Sequence, residues 1–309
     1  MIVTVTLTPA LDKTVVLPDF RVDQVNRIES LRLDAGGKGI NGSKVLSALG
    51  TESLATGILG GSTGRYIETS LREMGIACSF AWVEQDTRTN LKVVDPLRHT
   101  NTDINEPGAP VGEDVLEDVF NKAVEAAGPG GTVVLAGKAP AGTRDSLFGE
   151  WIARLHTMGI RTCLDADAAL LTEGAKAAPA LIKPNDAELA RLMGRPMNTL
   201  EEMTAAAKEL VAGGIGTVAV SLGGDGALFV TEGETLRGRG LKVNVQSTVG
   251  AGDSMMAALV HGMAGGMSFR DTCALALAVS AAAVTTPGTQ APDMDMVQSL
   301  LQQVVIEAI

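Results

Sequence analysis

Only three cysteines occur in 309 residues: Cys78, Cys163 and Cys273, odd in number, widely separated and set among apolar neighbours. That excludes a disulfide framework and a cysteine metal knuckle; it suits buried thiols in a reducing compartment, so a cytoplasmic protein is expected. Positive charge is short as well, with 25 Lys and Arg against 36 Asp and Glu and a formal net charge of −11. A nucleic-acid or membrane-surface partner would need a basic face to recruit phosphate, so neither is expected, and any phosphate site must be local. No apolar run reaches membrane-spanning length: CALALAVSAAAV, from Cys273, is too short for a bilayer and reads as a core helix. The opening MIVTVTLTPALDKTV alternates like a strand and lacks a basic segment followed by a long apolar one, so no signal peptide is expected. Internal repeats, low-complexity tracts and long charge runs are missing too.

What is present is a chain 45% apolar, long enough to bury a large core. Strand patterns at Val3–Leu7, Thr132–Ala136, Thr162–Asp165, Ala180–Lys183, Thr217–Ser221 and Ala227–Thr231 alternate with helical patterns at Lys44–Leu49, Glu113–Ala127, Ser146–Met158, Asp186–Met193 and Leu200–Ala212. This predicts an α/β fold with a mostly parallel central sheet flanked by helices. Two segments, 14–34 and 81–101, alternate in strand fashion without a good intervening helix, with Pro18 and Pro96 as breaks. They predict a small inserted β-sheet acting as a lid over the carboxyl ends of the main strands, where open α/β sheets bind ligands.

Four stretches carry chemistry. In QSTVGAGDSMMAAL, residues 246–259, the glycines leave the backbone N–H groups of residues 250–253 free to converge on an anion at a helix N-terminus. A carboxylate would repel that anion. Asp253 makes sense there if it accepts a proton from a hydroxyl while the amides stabilise the transferred group; the plainer alternative is that it complements the helix dipole. In LDAGGKGINGSKVLSALG, residues 33–50, glycines allow close backbone approach, Lys38 supplies a point charge and Asn41 opens a helix. This resembles an anion or polyol site, or else a flexible turn with a solvated lysine; it is not the GxxxxGK[ST] loop, and no GxGxxG fingerprint is present. LIKPNDAELARLMG, residues 181–194, brings Asn185 and Glu188 together at the end of a strand, as Mg²⁺ ligands acting through water or as a helix cap with a first-turn acid. VSLGGDGALFV, residues 220–230, reads as a hairpin.

Together these stretches resemble the PfkB family of carbohydrate kinases, whose fold is ribokinase-like. The family's two signatures match GGKGINGSKVLSALG and STVGAGDSM, with KPNDAEL and SLGGDGA between them in the same order, so the resemblance spans essentially residues 1–309 as one kinase domain. TLTPALDKTV, TRTNLKV at 87–93, NEPG at 105–108 and Ser247 are similar to the branch containing 1-phosphofructokinase and tagatose-6-phosphate kinase. The resemblance implies ATP and Mg²⁺ as cofactors and a phosphorylated ketohexose as acceptor. It implies Asp253 as the base and the amides of Gly250, Ala251 and Gly252 around the transferring phosphoryl group. Asp12, Gly37, Lys38 and Asn41 would contact the sugar, with Arg88 and Asn90 reaching in from the lid. Arg88 suits a substrate phosphate because its planar fork can bind two oxygens. Lys183, Asn185, Ser221, Gly223 and Gly226 would lie beside the nucleotide, Asn185 and Glu188 would organise the metal, and Val279 and Gly288 would wall the adenine. Exposed lid edges would allow a homodimer.

Two turns depart from the branch pattern. AGKAPAG puts Lys138 where a serine is expected, and LDADAAL, residues 164–170, replaces an Asp-Thr-Ser-Gly type of turn. Both lie on the expected substrate side, so Lys138 joins the candidate substrate residues or is a solvated loop lysine. Two alternatives stay open: a kinase of an unphosphorylated sugar or nucleoside, and a sugar-phosphate sensor that has lost catalysis.

Overall fold

Apolar side chains emerge from both faces of the central strands, and helices cover both faces. The computed structural model describes all residues, 1–309. Strand β1 (Ile2–Thr6) runs almost directly into β2 (Ala10–Val16); after a loop, β3 (Ser30–Gly36) feeds α1 (Lys38–Ala48). Then come β4 (Ser53–Gly60), α2 (Gly61–Glu73), β5 (Ala77–Cys78), β6 (Ala81–Val83), β7 (Thr89–Asp95) and β8 (Thr100–Asn105). Helix and strand alternate next: α3 (Glu113–Ala127), β9 (Thr132–Gly137), α4 (Leu147–Thr157), β10 (Arg161–Ala166), α5 (Ala168–Ala175), β11 (Leu181–Ile182), α6 (Asp186–Met193), α7 (Leu200–Ala212) and β12 (Thr217–Ser221). The chain closes with β13 (Gly226–Val230), β14 (Thr235–Arg239), α8 (Ala251–Ala264), α9 (Phe269–Ala283), α10 (Met294–Leu301) and β15 (Ile306–Ala308).

The large sheet has eleven strands in the order β15-β14-β13-β12-β11-β10-β9-β1-β4-β5, with β6 also pairing β4. It is parallel from β5 to β12 and antiparallel from β12 to β15. The period of two divides the core: Val3, Val5, Val133 and Leu135 pack with α3, α4, α5, α6 and α7, whereas Ile2, Val134 and Ala136 pack with α1, α8, α9 and α10. Cys163 and Cys273 are buried as free thiols, and burial pushes Cys163 up to about 12, which keeps it unreactive. No helix is long and apolar enough to cross a membrane. From β1 the chain goes first to β4 on one side and later to β9 on the other, so the carboxyl end of β1 is a topological switch point, where a crevice forms.

A separate four-stranded sheet, in the order β3-β2-β7-β8, stands over that crevice. It is drawn from the two segments expected to form it, with shifted bounds. Strand β2 starts at Ala10, residues 17–29 are loop, and β8 extends to Asn105. Ala81–Val83 instead pairs with β4 in the large sheet, because Ala81 is needed in the core beside Ile58. Helix α1 begins at Lys38, earlier than Asn41, so the Asn41 side chain is free of capping. Strand β4 and helix α2 are additions to the expected elements: SLATGILGG is buried on nearly all sides and passes into the helix through two glycines rather than a polar turn, although Gly64, Ile67 and Leu71 of α2 recur at helical spacing on its buried face.

The most aromatic part of the core joins Phe120 of α3 to Trp151 of α4, ring centroids 5.4 Å apart. Both are fully buried and neither lines a cleft. Replacing Phe120 by alanine is expected to destabilise the protein by about 3–5 kcal/mol, read by denaturant unfolding, with unchanged KM values for the folded enzyme.

Candidate active site

Side chains from β1, β2, β3, α1, β7, β8 and α8 meet at the carboxyl ends of β1, β9 and β10. They enclose a cavity of about 370 Å³ in which Val249 is the single apolar residue. Helix α8 delivers Asp253. Its N-cap, Gly250, has φ 85°, a left-handed conformation that lets the chain turn into the helix with its first amides facing outward. Gly37, at φ 122°, does the same for α1; a Cβ there would lie 2.6 Å from Thr6 Cγ2. The tight entry puts Lys38 and Asn41 on the first turn of α1, and Asn41 Nδ2 donates to Asp253 Oδ2 at 2.8 Å. From the small sheet, Asn90 Nδ2 donates to Asp12 Oδ1 at 2.9 Å, and Arg88 Nη1 donates to Asn90 Oδ1 at 3.1 Å. Lys138 is exposed at the rim, 3.9 Å from Asp167. Gly250, Asp253, Asp12, Gly37, Lys38, Asn41, Arg88, Asn90, Lys138 and Gly288 therefore all line one cavity, with Ala251 and Gly252 beside it.

Electrostatics separate the carboxylates. Asp253 is buried, and this burial, with Asp165 nearby, raises its pKa to about 6 against the pull of Asn41, Lys38 and Lys183. Asp165 is equally buried, yet Lys183 at 3.4 Å and Lys38 at 3.1 Å outweigh the burial and hold it below the usual carboxylate range. Burial alone would lower Lys38, but Asp165 and Asp167, the latter at 2.7 Å, keep it above the usual lysine range. Asp12 is raised by burial, against the Asn90 hydrogen bond. Two buried atoms lack partners here: the acceptor Asn41 Oδ1 and the donor Arg88 Nε. A ligand with a hydroxyl to donate to Asn41 Oδ1 and an acceptor oxygen for Arg88 Nε would satisfy both.

Of the expected nucleotide residues, Lys183, Asn185, Ser221, Gly223 and Gly226 lie outside this cavity, along the ends of β11, β12 and β13. Lys183 is buried, and a Cβ on Gly252 would stand 3.0 Å from its Nζ, so the ammonium lies against the N-terminus of α8. Asn185 bridges to Ser221, and Gly223–Asp225 forms the one-turn link to Gly226. Asn185 and Glu188 form a reciprocal capping box, each backbone N–H donating at 2.8 Å to the other's side chain. Val279 has no exposed surface: α9 is wrapped by α8 and α10, which places that residue in the core rather than on a nucleotide wall. Gly288 packs against Arg32 and faces the same cavity as the substrate residues.

Several lining residues escaped the sequence reading: Asp34, Lys92, Asp103, Asn105 and Thr289. The pleat was the available signal, since Arg88, Asn90 and Lys92 alternate on one face, as do Asp12 with Thr14 and Asp103 with Asn105. Asp165 and Asp167 lie in the LDADAAL turn expected on the substrate side, but nothing local showed that Asp165 ties two lysines together.

The family model described as pfkB family carbohydrate kinase matches residues 6–296. A 1-phosphofructokinase of Haemophilus influenzae is 36% identical over all of this chain and 98% of its own length, and one of Rhodobacter capsulatus is 36% identical over the same shares. Phosphofructokinase-2 of Escherichia coli, solved with substrates and products, superposes with a TM-score of 0.91 at 29% identity over 98% of each chain. The fold is thus ribokinase-like, and the chain is a phosphotransferase with an alcohol group as acceptor. A buried carboxylate at a glycine-opened helix, a polar crevice at the switch point and a match over nearly the whole length agree: the chain belongs to the pfkB family of carbohydrate kinases.

Proposed function

We propose that residues 1–309 form one kinase domain that transfers the γ-phosphoryl group of ATP to a hydroxyl of a phosphorylated ketohexose, with fructose 1-phosphate as the acceptor. The observation that carries this reading is Arg88: Lys38, Lys92 and Lys138 each face one of the aspartates that share the cavity lining, whereas the Arg88 guanidinium has no carboxylate partner and its buried Nε has no acceptor. An unpaired guanidinium exceeds what a neutral sugar needs and suits a bound phosphate. The full-length relatives named 1-phosphofructokinase support the same acceptor.

In the reaction the acceptor hydroxyl gives its proton to Asp253 as its oxygen bonds to the γ-phosphorus, and the bond to the ADP oxygen breaks. Asn41 holds the carboxylate in place. The amides of Gly250, Ala251 and Gly252 and the Lys183 ammonium face the charge carried by the transferred group. Asp12 and Asn90 orient hydroxyls, and Arg88 holds the acceptor's own phosphate. The Gly223–Gly226 turn borders the nucleotide on an exposed groove.

No cluster of three metal-ligating side chains exists, so these residues do not build a resident metal cage. Glu188 spends one oxygen on the Asn185 amide and keeps the other, a donor set that fits Mg²⁺ carried in on nucleotide phosphates with most of its waters. Bound there, the ion would offset phosphate charge. The small sheet serves as a lid, and its exposed Leu31 and Ile104, with Val22 and Val25 of the loop between β2 and β3, would support a homodimer. The three free thiols support a cytoplasmic setting.

Two measurements test this function. Asp253→Asn is expected to bind both substrates and to lower kcat at least roughly 100-fold, the scale of a lost general base. Because Asp253 must be ionised to act and its pKa is raised to about 6, kcat/KM in the wild type should fall as pH drops through that value. A variant retaining half the wild-type kcat in an ADP-coupled assay would leave Asp253 as a dipole complement only. Separately, Arg88→Ala should lower kcat/KM for fructose 1-phosphate roughly 10- to 150-fold, the equivalent of about 1.5–3 kcal/mol for a charged hydrogen bond. Free fructose should be a poor substrate of both enzymes, and an equal penalty on both acceptors would favour a neutral-sugar kinase.

A further inference from the structure

One buried cation has no part in the mechanism above. Lys44, on α1, is 6% exposed, and its ammonium donates to Ala35 O at 2.8 Å, Thr289 O at 2.6 Å and Thr289 Oγ1 at 3.4 Å. All three acceptors are uncharged, an expensive way to bury a cation if only packing were needed, since a methionine would fill the same space without the desolvation cost.

The acceptors explain the placement. Ala35 is at the foot of β3, where the small sheet joins the first helix, and it pairs with Leu11 of β2. Thr289 lies in the irregular stretch after α9 and lines the cavity; a Cβ on Gly250 would be 4.0 Å from Thr289 Cα, so this stretch backs the first residue of the anion cradle. No backbone pairing ties residues 287–292 to the rest of the fold, and the hydrogen bonds from Lys44 are the ones that reach them. Packing holds the stretch only at Thr289 and Pro292, which are buried. The stretch separates two open spaces, with Gly288 and Thr289 facing the 370 Å³ cavity and Gln290 and Ala291 facing a second one of about 600 Å³ that Lys44 also lines.

We propose that Lys44 is a positioning residue for phosphoryl transfer: its ammonium pins the Gly288–Thr289 turn to the foot of the small sheet and thereby holds the Gly250 end of the anion cradle in register with the acceptor. The inference rests on the reading of residues 250–253 as the transfer site. Lys44 touches neither substrate; it acts through Thr289 on Gly250 and, one helical turn away on α1, beside Asn41. Its loss should therefore disturb the transfer step more than acceptor binding, which depends on Arg88 and Lys38.

The test compares Lys44→Met, Lys44→Arg and Asp253→Asn with the wild type, with unfolding transitions recorded for each. Lys44→Met is expected to stay folded and to lose roughly 100-fold in kcat, the cost of about 1 Å of misplacement at a reacting centre, while the fructose 1-phosphate KM changes by less than about threefold. A second arm needs only the wild type and the arginine variant. Burial pushes the Lys44 ammonium down to about 8, with Asp34, Asp12 and Asp253 opposing that shift and Arg32 adding to it. A neutral amine has two donors for three acceptors, so wild-type kcat should decline as pH rises through 8, whereas the permanently charged Lys44→Arg should show no such limb. The inference is overturned if folded Lys44→Met keeps kcat within threefold of wild type, if activity falls only with the folded fraction, or if wild-type kcat is flat to pH 9.5. If Asp253→Asn stays active, the reading of the transfer site fails instead; a dead Asp253→Asn beside a fully active Lys44→Met would sink the lysine alone.

Discussion

Two carboxylates, Asp165 and Asp253, share the buried floor of the crevice, and their burial, with the repulsion Asp253 feels from Asp165, sets the charge balance of the site. Neither could stay ionised alone in such a place without a partner. The two lysines, Lys38 and Lys183, lie within ion-pair distance of Asp165, so that carboxylate is held low while Asp253, with a neutral amide as its hydrogen-bond partner, is left with a raised pKa. One acid becomes a fixed counter-charge and the other a carboxylate that titrates close to neutrality. The division comes from environment, since the side chains are identical.

That arrangement also turns the lysines to use. Lys38 points across the acceptor side of the cavity, and Lys183 lies against the amides of α8, so each keeps a face toward the space where phosphate charge would sit. The surface as a whole is acidic, and beyond roughly 8–10 Å its field is screened by salt. Inside the polar crevice four cations stand among five aspartates, and Arg88 alone of the four has no carboxylate partner. A protein repellent to polyanions at large thus keeps one unpaired guanidinium inside a small volume.

The small sheet and the turn after α9 are the least buttressed walls of this volume. Strand β8 is exposed along its whole length, and residues 287–292 lack backbone pairing. Both are joined at their bases to α1, the first through Gly36–Gly37 and the second through Lys44. Movement of either wall is thereby referred to the helix that carries Lys38 and Asn41. This coupling is mechanical and local, built from a single helix turn.

The sequence by itself determined most of the parallel strands, the helices between them and the position of Asp253 at a glycine-opened helix, because periodicity, caps and turn residues act within a few positions of each other. It marked Arg88 and Asn90 but passed over Lys92 on the same pleated face, and it placed Val279 at a nucleotide wall when α10 encloses it. It read Asn185 and Glu188 with two meanings, of which the capping box is visible in the hydrogen bonds. Tertiary structure alone decided which carboxylate has the raised pKa. The partners of Asp253 and Lys38 stand 212 and 127 residues away, so the charge balance that raises one acid and lowers the other exists only once β10, β11, α1 and α8 have come together. Long-range electrostatics in a dry pocket depends on distance in space, which no local pattern encodes.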